Sequence, residues 1–300
     1  MLKIAYHPIY KHPLPAGHRF PMVKYDLLPQ QLLHEGTCKD HNFFEPHFPL
    51  EEQLLAVHDP IYYQNLLNLT IKPSAVRKIG FPLSHELVQR ERIIADGTIK
   101  GCDYALKYGI AMNIAGGTHH AYSNRGEAFC MLNDQAIGAK YIFNQGLSKS
   151  ILIIDLDVHQ GNGTAEIFQN DPSVFTFSMH GKSNYPFKKE QSDLDIPLDK
   201  GTNDAQYLSL LKNTLPSLIE RVKPDFIFYL CGVDVLRSDK LGTLGMSLEG
   251  CTERDRYVLQ TCKDEKIPVQ CRMGGGYSSD IKLIIEAHAN TFRLAQEIYF

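Results

Sequence analysis

The run Ile151-Leu152-Ile153-Ile154 constrains the fold more than any other stretch of the chain. In an extended conformation, consecutive large apolar residues point to both faces. Such a strand must be covered on both sides, as in the parallel sheet of an α/β protein. The run passes into Asp155-Leu156-Asp157-Val158-His159-Gln160-Gly161-Asn162-Gly163. Alternate residues of an extended chain share a face. Asp155, Asp157 and His159 therefore face one site where the strand ends, and the glycines that follow let the backbone turn sharply. Two carboxylates and one imidazole suit Zn²⁺ or another divalent first-row ion, with a position left open for water. An isolated Asp-x-Asp is usually a solvated acidic turn. The added histidine, and the partners found elsewhere in the chain, favour a metal.

The rest of the chain alternates in the same way. Strand-like runs fall at 2–6, 111–115, 151–156, 174–179, 226–231 and 268–272. Amphipathic helical segments fall at 85–108, 134–144, 204–222, 253–265 and 279–298. Thr252-x-x-Asp255 resembles a capping box opening one helix, and Ser278 or Ser279 is the expected cap of the last. The alternation predicts a mostly parallel sheet with helices on both faces. No repeat or Ser/Gly linker divides the 300 residues, so a single domain over 1–300 is expected.

Each polar motif follows a strand. Gly116-Gly117-Thr118-His119-His120 follows one, and Ser178-Met179-His180 ends another. Cys231-Gly232-Val233-Asp234 and Gly274-Gly275-Gly276-Tyr277 follow two more. Carboxyl ends of parallel strands share one edge of the sheet, where ligands bind. Asp234 then supplies the second carboxylate. With Asp157 and His159 it makes three protein ligands and an open fourth position, while Asp155 is left to orient a histidine from behind. Taken alone, Asp234 also reads as a helix cap or turn residue. His119 and His120 are adjacent and must lie on a turn. One can act as general base for an attacking water and the other as a neighbouring acid. Tyr277, directly after three glycines, is placed to project over the site and stabilise an oxyanion. Most of the thirteen histidines and fifteen tyrosines are expected to be structural. The parts together read as metal-assisted amide hydrolysis.

Net charge is −3, with the basic residues scattered singly, so no phosphate-backbone surface is expected. No apolar run reaches the length of a membrane span, and the N-terminus lacks a signal-peptide pattern. The seven cysteines include no Cys-x-x-Cys pair. They predict a reducing, cytoplasmic setting, with Cys130 and Cys231 as small packed residues.

The motifs quoted, together with Gly126-Glu127-Ala128-Phe129-Cys130, resemble the zinc-dependent histone deacetylase superfamily. Its class IV branch and similar bacterial proteins are nearest, and the likeness extends over essentially the whole chain. The resemblance implies a three-layer α/β/α arginase/deacetylase-like fold with a central eight-stranded sheet. It implies removal of acyl groups from the ε-nitrogen of lysine in proteins or peptides. By motif, Asp157, His159 and Asp234 hold zinc (ferrous iron is the alternative), His119 and His120 flank the water, and Tyr277 polarises the carbonyl. Asp155 pairs with His119. Phe129, Tyr185, Leu241 and Gly275 line a narrow acyl-lysine tunnel, and Arg19 stands at an internal cavity behind the site. A structural potassium falls at Asp155, Asp157, His159, Ser178 and Met179.

The chain departs from the class I pattern in carrying Asn162 where an aspartate orients the second histidine. It also has no match for the rim aspartate around 79–85. The class IV likeness brings activity on long fatty acyl groups into view. A binuclear arginase-type site would want a carboxylate two residues past His159, where Gly161 stands. The rivals that remain are an acetylpolyamine or other small N-acyl amidohydrolase, and an inactive acyl-lysine binding protein.

Overall fold

The structure is a computed structural model that describes residues 1–300. Its frame is one eight-stranded sheet in which every neighbouring pair is parallel. The strands are β1 (Lys3–Ala5), β2 (Phe43–Phe44), β3 (Ile110–Asn113), β4 (Ile151–Asp155), β5 (Val174–Gly181), β6 (Leu194–Leu198), β7 (Phe226–Leu230) and β8 (Val269–Arg272). Their spatial order is β2-β1-β3-β8-β7-β4-β5-β6. The five strands whose ends carry polar motifs are thus the contiguous run β3-β8-β7-β4-β5. All parallel, they deliver those motifs to one edge.

Ten α-helices connect and cover the sheet: α1 (Lys24–His34), α2 (Glu51–Leu55), α3 (Pro60–Leu67), α4 (Pro73–Ile79), α5 (His85–Tyr108), α6 (Asp134–Asn144), α7 (Asn162–Phe168), α8 (Asp204–Val222), α9 (Leu248–Asp264) and α10 (Ile281–Tyr299). Adjacent residues of β7 show that both faces are covered. The Phe228 ring reaches α6, lying 3.0 Å from where a Cβ on Gly138 would be. The Tyr229 hydroxyl instead donates to Asp255 of α9 at 2.5 Å. All residues of β3, β4, β7 and β8 are buried. This is the reason the central strands read as continuous apolar runs.

Two strands went unpredicted, and both are at the sheet's edges. β2 is two residues long. β6 is half-exposed and contains Pro197, a residue an edge strand tolerates. Two helix starts also differ from expectation. The cap of α9 is Ser247, whose hydroxyl accepts from the Gly250 amide at 2.9 Å. Thr252 lies inside that helix, and Asp255 is buried against Arg254, so they form no capping box. The cap of α10 is Asp280, which accepts from the Lys282 amide at 2.9 Å, in place of Ser278 or Ser279.

Candidate active site

Asp155 is the last residue of β4, and the chain beyond it carries Asp157 and His159 across the sheet edge. Asp234 arrives from the end of β7. Asp157, His159 and Asp234 are all buried, at 1%, 8% and 0% exposure. His159 Nδ1 lies 3.0 Å from Asp157 Oδ1 and 3.1 Å from Asp234 Oδ2. One donor atom from each residue lies within 4.8 Å of the others. The outer oxygens are fixed by backbone: Gly275 N–H donates to Asp157 Oδ2 at 2.8 Å, and Val158 N–H to Asp234 Oδ1 at 3.0 Å. Gly275 must lack a side chain, since a Cβ there would come within 1.9 Å of Asp234 Oδ2.

The electrostatics of these three residues fit a divalent ion. Burial, followed by the nearby Asp157 charge, pushes the Asp234 carboxyl up to about 7. His159 is raised as well: against its burial, hydrogen bonds to the two aspartates lift it to about 10. Without a cation, this cluster of acids is quiet only by holding protons on the atoms that face each other. A divalent ion removes that need, and two carboxylates with an imidazole nitrogen are a donor set zinc accepts.

His119 and His120 occupy the turn after β3, with ring centroids 4.1 Å apart. His119 Nδ1 meets Asp155 Oδ2 at 2.7 Å, and His120 Nδ1 meets Asn162 Oδ1 at 2.6 Å. The different partners separate the two imidazoles. Both pay for burial, but the Asp155 carboxylate raises His119. His120 is held well below the ordinary histidine value by burial and by the neighbouring His119 and His159. Tyr277 sits with its ring 6.3 Å from that of His159. Burial, then the charges of Asp157 and Asp234, pushes its phenol well above the usual value. It therefore carries its proton throughout the neutral range.

Phe129 and Gly275 line the cleft together with Phe20, both histidines and Tyr277. Ala128 and Phe129 hold left-handed backbone angles (φ 43° and 69°). Their amides donate to Lys78 O and Ile79 O at 2.9 and 2.6 Å, which locks the ring in place. Tyr185 packs edge-on to His120, with centroids 5.0 Å apart, and donates to Glu127 Oε2 at 2.5 Å. Leu241 stands outside the enclosed part of the cleft, and its carbonyl accepts from Asn184 Nδ2 at 2.7 Å. Ser178 pairs with Asp155 across the β4–β5 ladder, and Met179 is buried beside it.

Arg19 is not where the sequence reading put it. It is exposed, with its guanidinium 5.0 Å over the Phe129 ring. The cation behind the site is Lys24, fully buried. Its Nζ donates to Gly274 O at 3.0 Å and lies 5.7 Å from the Tyr277 ring centroid. Burial lowers this amine to about 8. Arg90 also lines the cleft. Lys24 was legible as the polar member of the i, i+4, i+8 stripe it forms with Leu28 and Leu32. Asp239 was also missed. Its Oδ2 accepts from the Tyr277 amide at 2.6 Å, and its Oδ1 from the amides of Leu241 and Gly242 at 2.8 Å each. It ties the tyrosine's backbone to the loop after β7. No local pattern marks it.

The sheet order, with buried Asp, His and Asp, a histidine pair and a tyrosine at its edge, is that of the arginase/deacetylase fold. The Histone deacetylase domain family matches residues 18–292, and the chain belongs to that family. It is 45% identical over 296 residues to an uncharacterised protein of Picosynechococcus, spanning 99% of both chains. It is 29% identical over 287 residues to Histone deacetylase 2 of Arabidopsis thaliana, covering 92% of this chain and 74% of that one. The crystal structure of an HDAC homolog from Aquifex aeolicus superposes with a TM-score of 0.83 at 24% identity, over 97% of this chain and 82% of the other.

Proposed function

We propose that the protein is a zinc-dependent deacylase that removes acetyl or longer acyl groups from lysine ε-amines of proteins or peptides. The observation that carries this reading is the convergence of Asp157, His159 and Asp234 below Tyr277 and beside two differently partnered histidines. A divalent ion held by those three residues, zinc by donor set with ferrous iron the alternative, supplies a Lewis acid for the scissile carbonyl and makes water easier to deprotonate.

The chain's own residues do the rest. Neutral His120 takes the proton of the attacking water as the C–O bond forms, and returns it to the nitrogen as the C–N bond breaks. His119, its charge supported by Asp155, stabilises the negative charge that builds up between them. The Tyr277 hydroxyl donates to the developing oxyanion. The second water proton passes from the nascent acid to the amine, so the products are a carboxylate and an ammonium ion. Phe129 and Tyr185, with Gly275 at the floor, hold the apolar stem of the acyl-lysine. Leu241 stands at its outer end. Asp155, Ser178 and Met179, with the backbone at Asp157 and His159, form the position for a structural potassium. Asn162 in place of the class I aspartate favours a place beside the class IV branch. Seven free, buried cysteines suit a cytoplasmic protein.

One observation favours a second reading as an acetylpolyamine or other small N-acyl amine hydrolase. Residues 79–85 carry no acidic side chain to hold a peptide backbone at the rim. Turnover of lysine peptides bearing acetyl through myristoyl groups, with acetylpolyamines alongside, tests both. Release of acyl groups from the peptides supports the first reading. Turnover of polyamines alone replaces it with the second. Peptide binding by metal-loaded protein without release of any acyl group would make the chain a binding protein.

A further inference from the structure

We infer that Tyr122 and Glu190 are positioning residues that set the direction of the hydrogen bonds behind His120 and so fix which of its ring nitrogens carries the proton. The inference rests on the reading of His120 as the proton acceptor.

The structure holds an unbroken chain from the site to the surface. His120 Nδ1 meets Asn162 Oδ1 at 2.6 Å, Asn162 Nδ2 donates to Tyr122 Oη at 2.9 Å, and Tyr122 Oη donates to Glu190 Oε1 at 3.2 Å. His120, Tyr122 and Asn162 are buried, and Glu190 is part-exposed.

An amide differs here from a carboxylate. Asn162 presents an acceptor on one side and a donor on the other, and turning it over exchanges them. With the oxygen toward His120, Nδ1 carries the proton and Nε2 keeps a free lone pair for the reaction. With the amide turned over, Nδ1 must accept and Nε2 is protonated, which leaves His120 unable to take a proton. The local contact alone does not choose between these states.

The outer links choose. The Glu190 carboxylate only accepts, so it takes the single proton of Tyr122. The phenol oxygen is then left as an acceptor for Asn162 Nδ2, and the Asn162 oxygen is forced toward His120. Glu190 is itself held. Its amide donates to Gln160 Oε1 at 2.9 Å, and Gln160 Nε2 donates to Glu190 O at 2.7 Å. The Arg125 guanidinium lies 3.4 Å from the Tyr122 ring centroid and pins the ring from outside. Each link thus has one direction only.

The test is a cycle. Tyr122→Phe keeps the ring and removes the oxygen. It should lower kcat about tenfold through loss of one directing hydrogen bond, with KM within about twofold and metal content unchanged. In an Asn162→Asp background, either orientation of the carboxylate offers His120 an acceptor, so the same substitution should lower kcat by less than about twofold. Nitrogen-15 spectra of histidine-labelled protein, with His120 assigned by its loss in His120→Ala, should show Nδ1 protonated in the parent and a mixture of tautomers in Tyr122→Phe. Glu190→Ala, at a part-exposed position where folding is not at stake, should reproduce the loss in the same direction. Equal losses from Tyr122→Phe in both backgrounds, or an unchanged His120 tautomer, would overturn the assignment. Wild-type kcat in Glu190→Ala would remove Glu190 from it. If the parent protein hydrolyses no acylated amine, the functional reading fails, while the tautomer spectra still decide the relay.

Discussion

Replacing Tyr277 with phenylalanine removes one hydroxyl and leaves the packing intact. Its ring lies against Phe20, Phe129 and His159, with centroid separations of 5.9, 6.2 and 6.3 Å, and all three contacts survive in the variant. The backbone anchor also survives, because Asp239 holds the amide and not the phenol. The loss is therefore confined to a single donor aimed at the oxyanion. In a buried site one such donor is worth about 10²–10³ in rate, or about 2.7–4 kcal/mol. Because burial keeps the phenol protonated well beyond neutral pH, the deficit should be the same from about pH 6 to pH 8. Steady-state kinetics on the best acyl-lysine peptide, with metal content and melting temperature measured alongside, provide the assay. kcat should fall by two to three orders of magnitude with KM and metal content near wild type. A variant that keeps wild-type kcat would show that Tyr277 donates nothing to the reaction. A variant that loses its metal would show that the phenol supports the site by another route.

Two further outcomes follow from groups around the site. Asp239→Ala leaves the amides of Tyr277, Leu241 and Gly242 without an acceptor. Stability should drop by about 2–4 kcal/mol in urea titrations, and kcat should fall more than KM rises as the Tyr277 loop slackens. Stability should also be lost in mild acid through His58, which is buried. Asn133 N–H donates to its Nε2 at 2.9 Å, and its Nδ1 donates to Tyr122 O at 3.1 Å. Burial lowers this histidine from the ordinary 6.5 to about 4 in the folded protein. A depressed folded value means the unfolded chain binds the extra proton between those limits. Stability is therefore full above pH 6.5 and declines as pH falls toward 4, by about 3 kcal/mol for a shift of this size. Urea midpoints at pH 7.5 and 4.5 check this, and His58→Gln should flatten the slope. An equally steep slope in that variant would place the acid sensitivity elsewhere.

How much of this was legible in the sequence depended on what each residue had to satisfy. The five central strands and helices such as α5, α6 and α8 were readable because burial on both faces, or on one stripe, leaves a strong periodic mark. β2 and β6 left none, since an edge strand meets neither demand. The start of α9 was misread because Asp255 owes its place to Arg254, Tyr229 and Thr291, partners supplied by tertiary structure. At the site, the metal-type donors and the histidine pair were legible because all of them follow strands. Arg19 and Lys24 are five residues apart, and only the path of the chain into α1 decides which of the two is buried. Asp239 and Glu190 act across loops, and no spacing rule reaches them.

The central claim is that Asp157, His159 and Asp234 together grip one divalent ion on which hydrolysis depends. Metal analysis of Asp234→Ala beside the parent protein, with folding checked by circular dichroism, tests this most directly. The parent should hold about one zinc or iron per chain, and the variant should be folded, metal-free and inactive. A folded Asp234→Ala protein that keeps its metal in full and still turns over substrate would contradict the account.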